Sequence, residues 1–298
     1  MYIKRQKNSS LTTHRYFKML QLSEIYIYPV KSLGGVRLDE AEVTDRGLKY
    51  DRRWMLIDEN NRFISQREYP QLALFSVAIQ KGNLLITDNK TGEKLTISNS
   101  LNHSATQSLK VTIWDDEVEA YQVSEIANEF FTQALSMPIR LVCMHDENIR
   151  KTEAEYSLKG DEITSFSDGY PILIIGQSSL DDLNNKLAEP ITINRFRPNF
   201  VFAGGQAFEE EEWHEFRVGN IRFFGVKPCA RCIMTTIDPQ TGEKKGKEPL
   251  LTLNKYRKAG NKILFGQNVL ISQTGSVSVG DNIEVIIRKK LDKFVVGD

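Results

Sequence analysis

Two of the three cysteines, Cys229 and Cys232, sit three residues apart in the stretch VKPCARCIMTTIDPQTG, which begins at Val226. Thiols at this spacing serve three chemistries: structural zinc, a redox disulfide, or a soft metal held by one thiolate with its neighbour accessory. Zinc needs four ligands. The one other thiol is Cys143, and the four histidines (His14, His103, His145, His214) show no paired spacing. Cys143 with His145 could form a second pair, but Cys143 lies in IRLVCM, which reads as a buried strand. A thioredoxin-like pair places its first thiol at a helix N-terminus. Here IMTTID alternates and is β-branched, so a strand is expected to follow. For the third chemistry, Arg231 stands beside Cys232 and Lys227 just upstream, a cationic setting that suits thiolate chemistry. Burial of both cysteines in a strand is the simplest reading of the spacing alone. Spacing does not choose.

The elements that must position these residues are mostly short β runs. SEIYIYPV is rich in β-branched and aromatic residues and ends at a proline. WMLIDENNRFIS reads as a hairpin turning at Asn60-Asn61, and NLLITDNKTGEKLTIS as another turning between Asn89 and Gly92. LKVTIWDDEVEAYQV reads as a third, closed by Asp115, Asp116 and Glu117. Two helices are expected. SEIANEFFTQAL has Ser124 as its N-cap, and SSLDDLNNKLAEP carries Ser178 and Ser179 in capping-box spacing to Asp181 and Asp182. The polar stretch from His145 to Gly169 reads as a long surface loop, and Glu209 to Glu212 as a solvated run. Trp213 and His214 read as local packing. The class is therefore mostly β with a few helices, a barrel or sandwich rather than βαβ units.

Composition excludes several roles. Lys plus Arg and Asp plus Glu number 39 each, so the net charge is zero and gives no nucleic-acid footprint. No apolar run approaches the roughly 20 residues of a membrane span. Three cysteines exclude a disulfide framework and point to a reducing compartment, read as the cytoplasm. Residues 1–20 are basic without an apolar core and read as a disordered tail or a misassigned start. No cysteine follows Cys232, so no ferredoxin-like domain is expected within this chain.

KPCARCIMTTIDPQTG, followed by KEPLLTLNKYRK and LFGQNVLI, resembles the catalytic half of the MOSC-domain proteins. IYPVKSLGG, GLKYDRRWMLID and RFRPNFVF resemble the remaining blocks, in the order found in the mitochondrial amidoxime-reducing components and their bacterial relatives. The resemblance spans about Leu22 to about Ile287. It implies a β-rich N-terminal MOSC subdomain (21–140), a β-barrel MOSC domain (141–290) and a tail (291–298). It also implies a molybdenum–molybdopterin cofactor between the two parts.

By motif position the resemblance makes Cys232 the metal ligand. It implies Lys31, Ser32, Arg52, Arg197 and Asn199 as cofactor contacts, with Asp168 and Gly169 in SDGYP and Ala230 and Arg231 before the metal cysteine. Tyr170 and Arg195 are weaker members, and Asn268 stands where animal members place an aromatic contact. Alternation along RFRPNF would set Arg195, Arg197 and Asn199 on one face. Asp238 reads equally as a catalytic proton-transfer or substrate-positioning group and as the opener of the DPQTG turn.

The implied reaction is two-electron reduction of N-oxygenated compounds such as hydroxylamines and amidoximes, with electrons from a separate flavoprotein, iron–sulfur or haem carrier. The competing class is a sulfur carrier bearing a persulfide on Cys232, as in the C-terminal part of molybdenum-cofactor sulfurases. Those enzymes pair it with a pyridoxal phosphate domain, and no lysine context here resembles such a site.

Overall fold

The computed structural model describes residues 19–101 and 108–290. Nearly all of both expected tails, together with His14 and His103, lies outside the described residues. The architecture is mostly β with a few helices. Among the described residues the largest sheet has nine strands. Its order runs Ile283–Arg288, Trp213–Val218, Ile221–Arg231, Lys262–Ile271, Ile172–Gly176, Phe200–Ala203, Gln21–Ile27 and Val36–Leu38, with Lys258–Ala259 paired to Lys262–Ile271. One pairing in it is parallel, Ile172–Gly176 with Phe200–Ala203. A parallel pair needs a crossover, and that connection carries the helix Gln177–Asn184.

The sheet curls until its ends meet. Leu22 N donates to Asp281 O at 2.8 Å, and Ile283 N to Leu20 O at 2.8 Å. Phe200, Phe202, Trp213, Phe216 and Phe223 pack inside this curl at 0% exposure. Strands this apolar, such as ILIIG at Ile172–Gly176, are buried along their whole length.

A second β layer covers one end. The strands Trp54–Ile57, Arg140–Cys143, Asp116–Gln122 and Ser108–Ile113 form one sheet there, and Phe75–Gln80, Asn83–Asp88 and Lys94–Ser98 another. Both pack with the helix Glu125–Leu135 around Leu72, Phe75, Ile86, Phe131 and Leu141. Ser124 Oγ caps that helix by accepting from Ala127 N at 3.2 Å, as read. The first two hairpins also form, with Asn61 at φ 61° and Gly92 at φ 81° in their turns.

Several local expectations are corrected. The third hairpin turns at Trp114-Asp115, because Asp116 already pairs with Ile113. The crossover helix begins at Gln177 with Gly176 as an N-cap lacking a side-chain bond, which leaves Ser178 and Ser179 inside the helix. The residues after Cys232 form a 3₁₀ turn, Ile233–Thr236, because Thr235 N and Oγ1 both donate back to Cys232 O. The polar segment after His145 is a surface loop only in its middle: residues 153–161 are largely exposed, while both ends fold inward around Arg150, which donates to Ser165 O at 2.9 Å and Ser167 O at 2.6 Å. Nor is the glutamate run uniformly solvated. Glu210 and Glu211 are fully buried, Glu210 accepting from Ser179 Oγ at 2.9 Å and Glu211 pairing with Arg257.

Candidate functional site

One cleft between the two β-rich parts gathers most of the residues singled out in the sequence. Lys31, Ser32, Arg52, Asp168, Gly169, Arg197, Asn199, Ala230, Arg231 and Cys232 all line it, with Tyr170, Arg195 and Asn268. They arrive from sequence positions 200 residues apart, which only the sheet order can bring together. Asp238 is not in the lining. Its Oδ1 accepts from Gln240 N at 2.9 Å to form the DPQTG turn, while Oδ2 pairs with Arg195 at 3.1 Å. Burial raises the proton affinity of the Asp238 carboxylate, but those turn amides and Arg195 outweigh it, and its pKa falls below the ordinary range.

Lys31 forms the floor. It is 6% exposed, and its Nζ donates to Phe166 O at 2.8 Å and Asp168 Oδ1 at 2.6 Å. Burial pushes its pKa down to about 8 against the opposing pull of Asp168. Burial alone would raise Asp168; the cations Lys31, Arg67 and Arg52 win and hold its carboxyl well below the usual carboxylate range.

Arg52 and Arg197, also in the lining, both lie against the Tyr28 ring, 4.3 and 4.1 Å from its centroid. Arg52 donates to buried Asp51 at 2.6 Å and to Asn199 Oδ1 at 3.1 Å. The ion pair with Asp51 therefore coexists with the cleft position. Arg197 donates to Leu33 O at 2.6 Å, and burial lowers its pKa to about 10. Asn199 fixes the wall, its Nδ2 bound to Tyr26 O and its Oδ1 to Leu173 N and Arg52.

Alternation is not what unites Arg195, Arg197 and Asn199. Arg195 ends a 3₁₀ turn and Arg197 has φ 54°. Ser32 and Arg52 share that left-handed region, at φ 70° and 50°. Non-glycine residues held there are strained, and such strain concentrates at functional sites.

Both thiols of the Cys229/Cys232 pair line the same cleft. The pairing of Ile221–Arg231 with Lys262–Ile271 is irregular between Pro228 and Ala230, so Cys229 sits at a bulge of the kind that re-aims side chains beside sites. Arg231 spans from Cys229 Sγ at 3.0 Å to Phe196 O at 2.6 Å, and its buried Nε has no hydrogen-bond partner. Cys232 is exposed into the cleft, and its Sγ accepts from Arg67 Nε at 3.3 Å. Arg67 stacks on Trp114 at 4.1 Å and approaches Asp168 at 3.8 Å.

Arg67 is the main residue that sequence reasoning missed. It lies in the polar run SQREYP, which carries no spacing signal, and it reaches the site through the fold alone. Phe63, Ser65, Met234 and Thr235 also line the cleft without any local signal.

The cleft thus combines one exposed soft donor with six cationic side chains. That donor set fits an anionic cofactor carrying a soft metal: guanidiniums take oxyanions in bidentate fashion, and a thiolate takes the metal. The unpartnered Nε of Arg231 is a donor left over for such a group.

Comparison with known proteins agrees on the class. The chain belongs to the MOSC-domain family, matching the MOSC N-terminal beta barrel domain over residues 19–138 and the MOSC domain over residues 161–284. Within it, the chain is 32% identical over 282 residues to mitochondrial amidoxime reducing component 2 of Bos taurus, covering 90% of this chain and 83% of that one. It is also 32% identical over 280 residues to mitochondrial amidoxime-reducing component 1 of Homo sapiens, covering 89% and 82%. Among solved structures, the YUAD protein from Bacillus subtilis covers 89% of this chain and 94% of its own, at 10% identity and a TM-score of 0.39. Among the described residues no helix is long and apolar enough to cross a membrane.

Proposed function

We propose that this protein is a molybdenum-cofactor-dependent reductase of N-oxygenated compounds such as hydroxylamines and amidoximes. The observation that carries the reading is the convergence of the exposed Cys232 sulfur with Lys31, Arg52, Arg197 and Arg231 in one cleft. Relatives named for amidoxime reduction, aligned over about 90% of this chain, support the same reaction class. The cofactor, when bound, supplies the two-electron redox chemistry and the oxygen acceptor.

The chain's own residues hold and shield that chemistry. Cys232 is the protein ligand to the metal. Arg52 and Arg197, seated on Tyr28, would hold the cofactor's anionic or pterin groups, and Lys31 would add a buried point charge. Asn199 and Asp51 keep Arg52 in place, while Arg195 is held toward the cleft by Asp238, which acts as a positioning residue. Ser32, Gly169, Ala230 and Arg231 complete the contact surface, with Asp168 orienting Lys31.

In the net reaction an N–OH group takes up two electrons and two protons and leaves as N–H and water. The electrons come from a separate carrier protein. Three free thiols fit a reducing compartment. The sequence reading places the chain in the cytoplasm, whereas the relatives above are named mitochondrial.

The direct test loads the chain with cofactor and drives it with reduced viologen. A hydroxylamine and an amidoxime should yield amine and amidine, and Arg52→Leu and Arg197→Leu should lower pterin content. Loaded wild type that leaves both substrates unchanged would refute the reading.

A further inference from the structure

The turn that carries Cys232 is surrounded by lysines. Across residues 231–263 the exposed charged side chains are Lys244, Lys245, Lys247, Lys255, Lys258 and Lys262 against the single carboxylate Glu243, which itself pairs with Lys245 at 3.5 Å. In a chain whose net charge is zero, six exposed cations to one anion is a strong local asymmetry. The fold places them on both flanks of the thiol. On one side Ile237, one residue past the turn, bridges to Lys244. On the other, Arg231 pairs with Ile263, and Ile263 pairs across its own hairpin with Lys258.

The middle of this face is apolar. Ile233, next to Cys232, is 45% exposed, and Leu251 is 48% exposed on the short helix Leu250–Asn254, which packs against the Ile233–Thr236 turn. A large aliphatic side chain left open beside the exposed Cys232 thiol and flanked by cations has the anatomy of a docking patch: an apolar centre with a charged rim. Lys244, Lys245 and Lys247 lie between the turn and the short helix, Lys255 closes that helix, Lys258 and Lys262 sit on strands, and none of the six lines the cleft, so the cleft's own chemistry does not account for them.

We infer that this face docks an acidic electron-carrier protein, whose carboxylates meet the lysine rim while its redox centre is brought against Ile233 and Cys232. The inference rests on the reductase reading, which requires a separate donor. Complementary charge steers such encounters and raises their rate, and electron-transfer complexes form with small, weak interfaces. A rim of exposed lysines around two aliphatic side chains suits that kind of contact: fast, salt-sensitive and readily released. Each docking delivers one electron from the reduced carrier, so two dockings supply one turnover.

The test uses the full-length chain and an acidic plant-type [2Fe–2S] ferredoxin as probe, with Kd measured by titration at about 0.02 M and about 0.3 M salt. The variants are Lys244→Glu/Lys245→Glu/Lys247→Glu and Lys258→Glu/Lys262→Glu. The control is Lys94→Glu/Lys110→Glu, which reverses exposed lysines on the N-terminal part.

The expected result is salt-sensitive binding that both variants weaken about tenfold or more while the control leaves it unchanged. Equal binding by wild type and variants overturns the inference. So does an equal loss in the control, or a single-stranded oligonucleotide that displaces ferredoxin at equal concentration, since the face is then a generic polyanion surface. Viologen-driven turnover of cofactor-loaded protein is measured alongside. Its absence in wild type removes the reductase reading, and the docking face is then decided by the titration alone. Its persistence in the variants shows that the fold and cleft are intact.

Discussion

Replacing Lys31 with methionine should stabilise the cofactor-free protein at neutral pH while weakening its hold on the cofactor. Lys31 is buried, and its pKa is pushed from an ordinary 10.5 to about 8. A lysine whose folded pKa lies below its unfolded value is charged more readily in the unfolded chain. It therefore destabilises the fold below pH 8, and the penalty is relieved as pH rises from 8 to 10.5. The drop of about 2.5 corresponds to a full penalty of about 3 kcal/mol, of which about 2 kcal/mol is relieved between pH ~7 and pH ~9.5. Lys289, also pushed down to about 8 by burial, contributes in the same direction in both proteins and cancels in the comparison. Asp168 stays ionised throughout this window and leaves the slope unchanged. Methionine forfeits the bond to Phe166 O, which costs about 1 kcal/mol and offsets part of the gain. Urea unfolding of cofactor-free wild type and Lys31→Met at several pH values measures this directly. Wild type should gain about 2 kcal/mol on the variant between pH ~7 and pH ~9.5, and pterin content of the variant should fall. Parallel pH profiles would refute the reasoning, because they would mean that Lys31 is not charged in a desolvated site.

Two further outcomes follow from buried features near the site. Burial, reinforced by the neighbouring Glu211, raises the Glu210 carboxyl from 4.5 to about 7, so the folded state binds the extra proton and stability falls as pH rises through 4.5 to 7. Glu210→Gln should flatten that slope in urea titrations, and an unchanged slope would place the titration elsewhere. Gly225→Ala would set a Cβ 2.2 Å from Trp213 O and 2.8 Å from Gln267 Nε2, in the strand that ends in Cys229 and Arg231. It should cost about 2 kcal/mol and lower Tm by about 5 °C in calorimetry, whereas an unmoved Tm would show that the sheet relaxes freely there.

The sequence carried those parts of the fold that are decided locally. Asn60-Asn61 and the Asn89-to-Gly92 turn signalled their hairpins because each supplies a residue that tolerates positive φ, and Ser124 announced its helix because the cap is a single side-chain bond. The MOSC blocks likewise pointed to residues that share one cleft, although the reason for their proximity is the curl of a sheet that joins Gln21–Ile27 to Phe200–Ala203. What sequence missed is non-local. Glu210 and Glu211 look solvated until Ser179, Gly176 and Arg257 are brought to them from distant segments. The β-branched run after Cys232 looks like a strand, yet two bonds from Thr235 wind it into a turn. Arg67 has no motif at all, and only the packing of the N-terminal hairpins against the MOSC half sets its guanidinium on Cys232.

The central claim is that Cys232 binds the metal and Cys229 does not. The most direct measurement is molybdenum and pterin stoichiometry in wild type, Cys232→Ser and Cys229→Ser, all made in a host that synthesises the cofactor. The account predicts near-equimolar metal and pterin in wild type and in Cys229→Ser, with molybdenum lost in Cys232→Ser. Wild type that carries neither molybdenum nor pterin but bears a persulfide on Cys232 would contradict it and establish a sulfur carrier in its place.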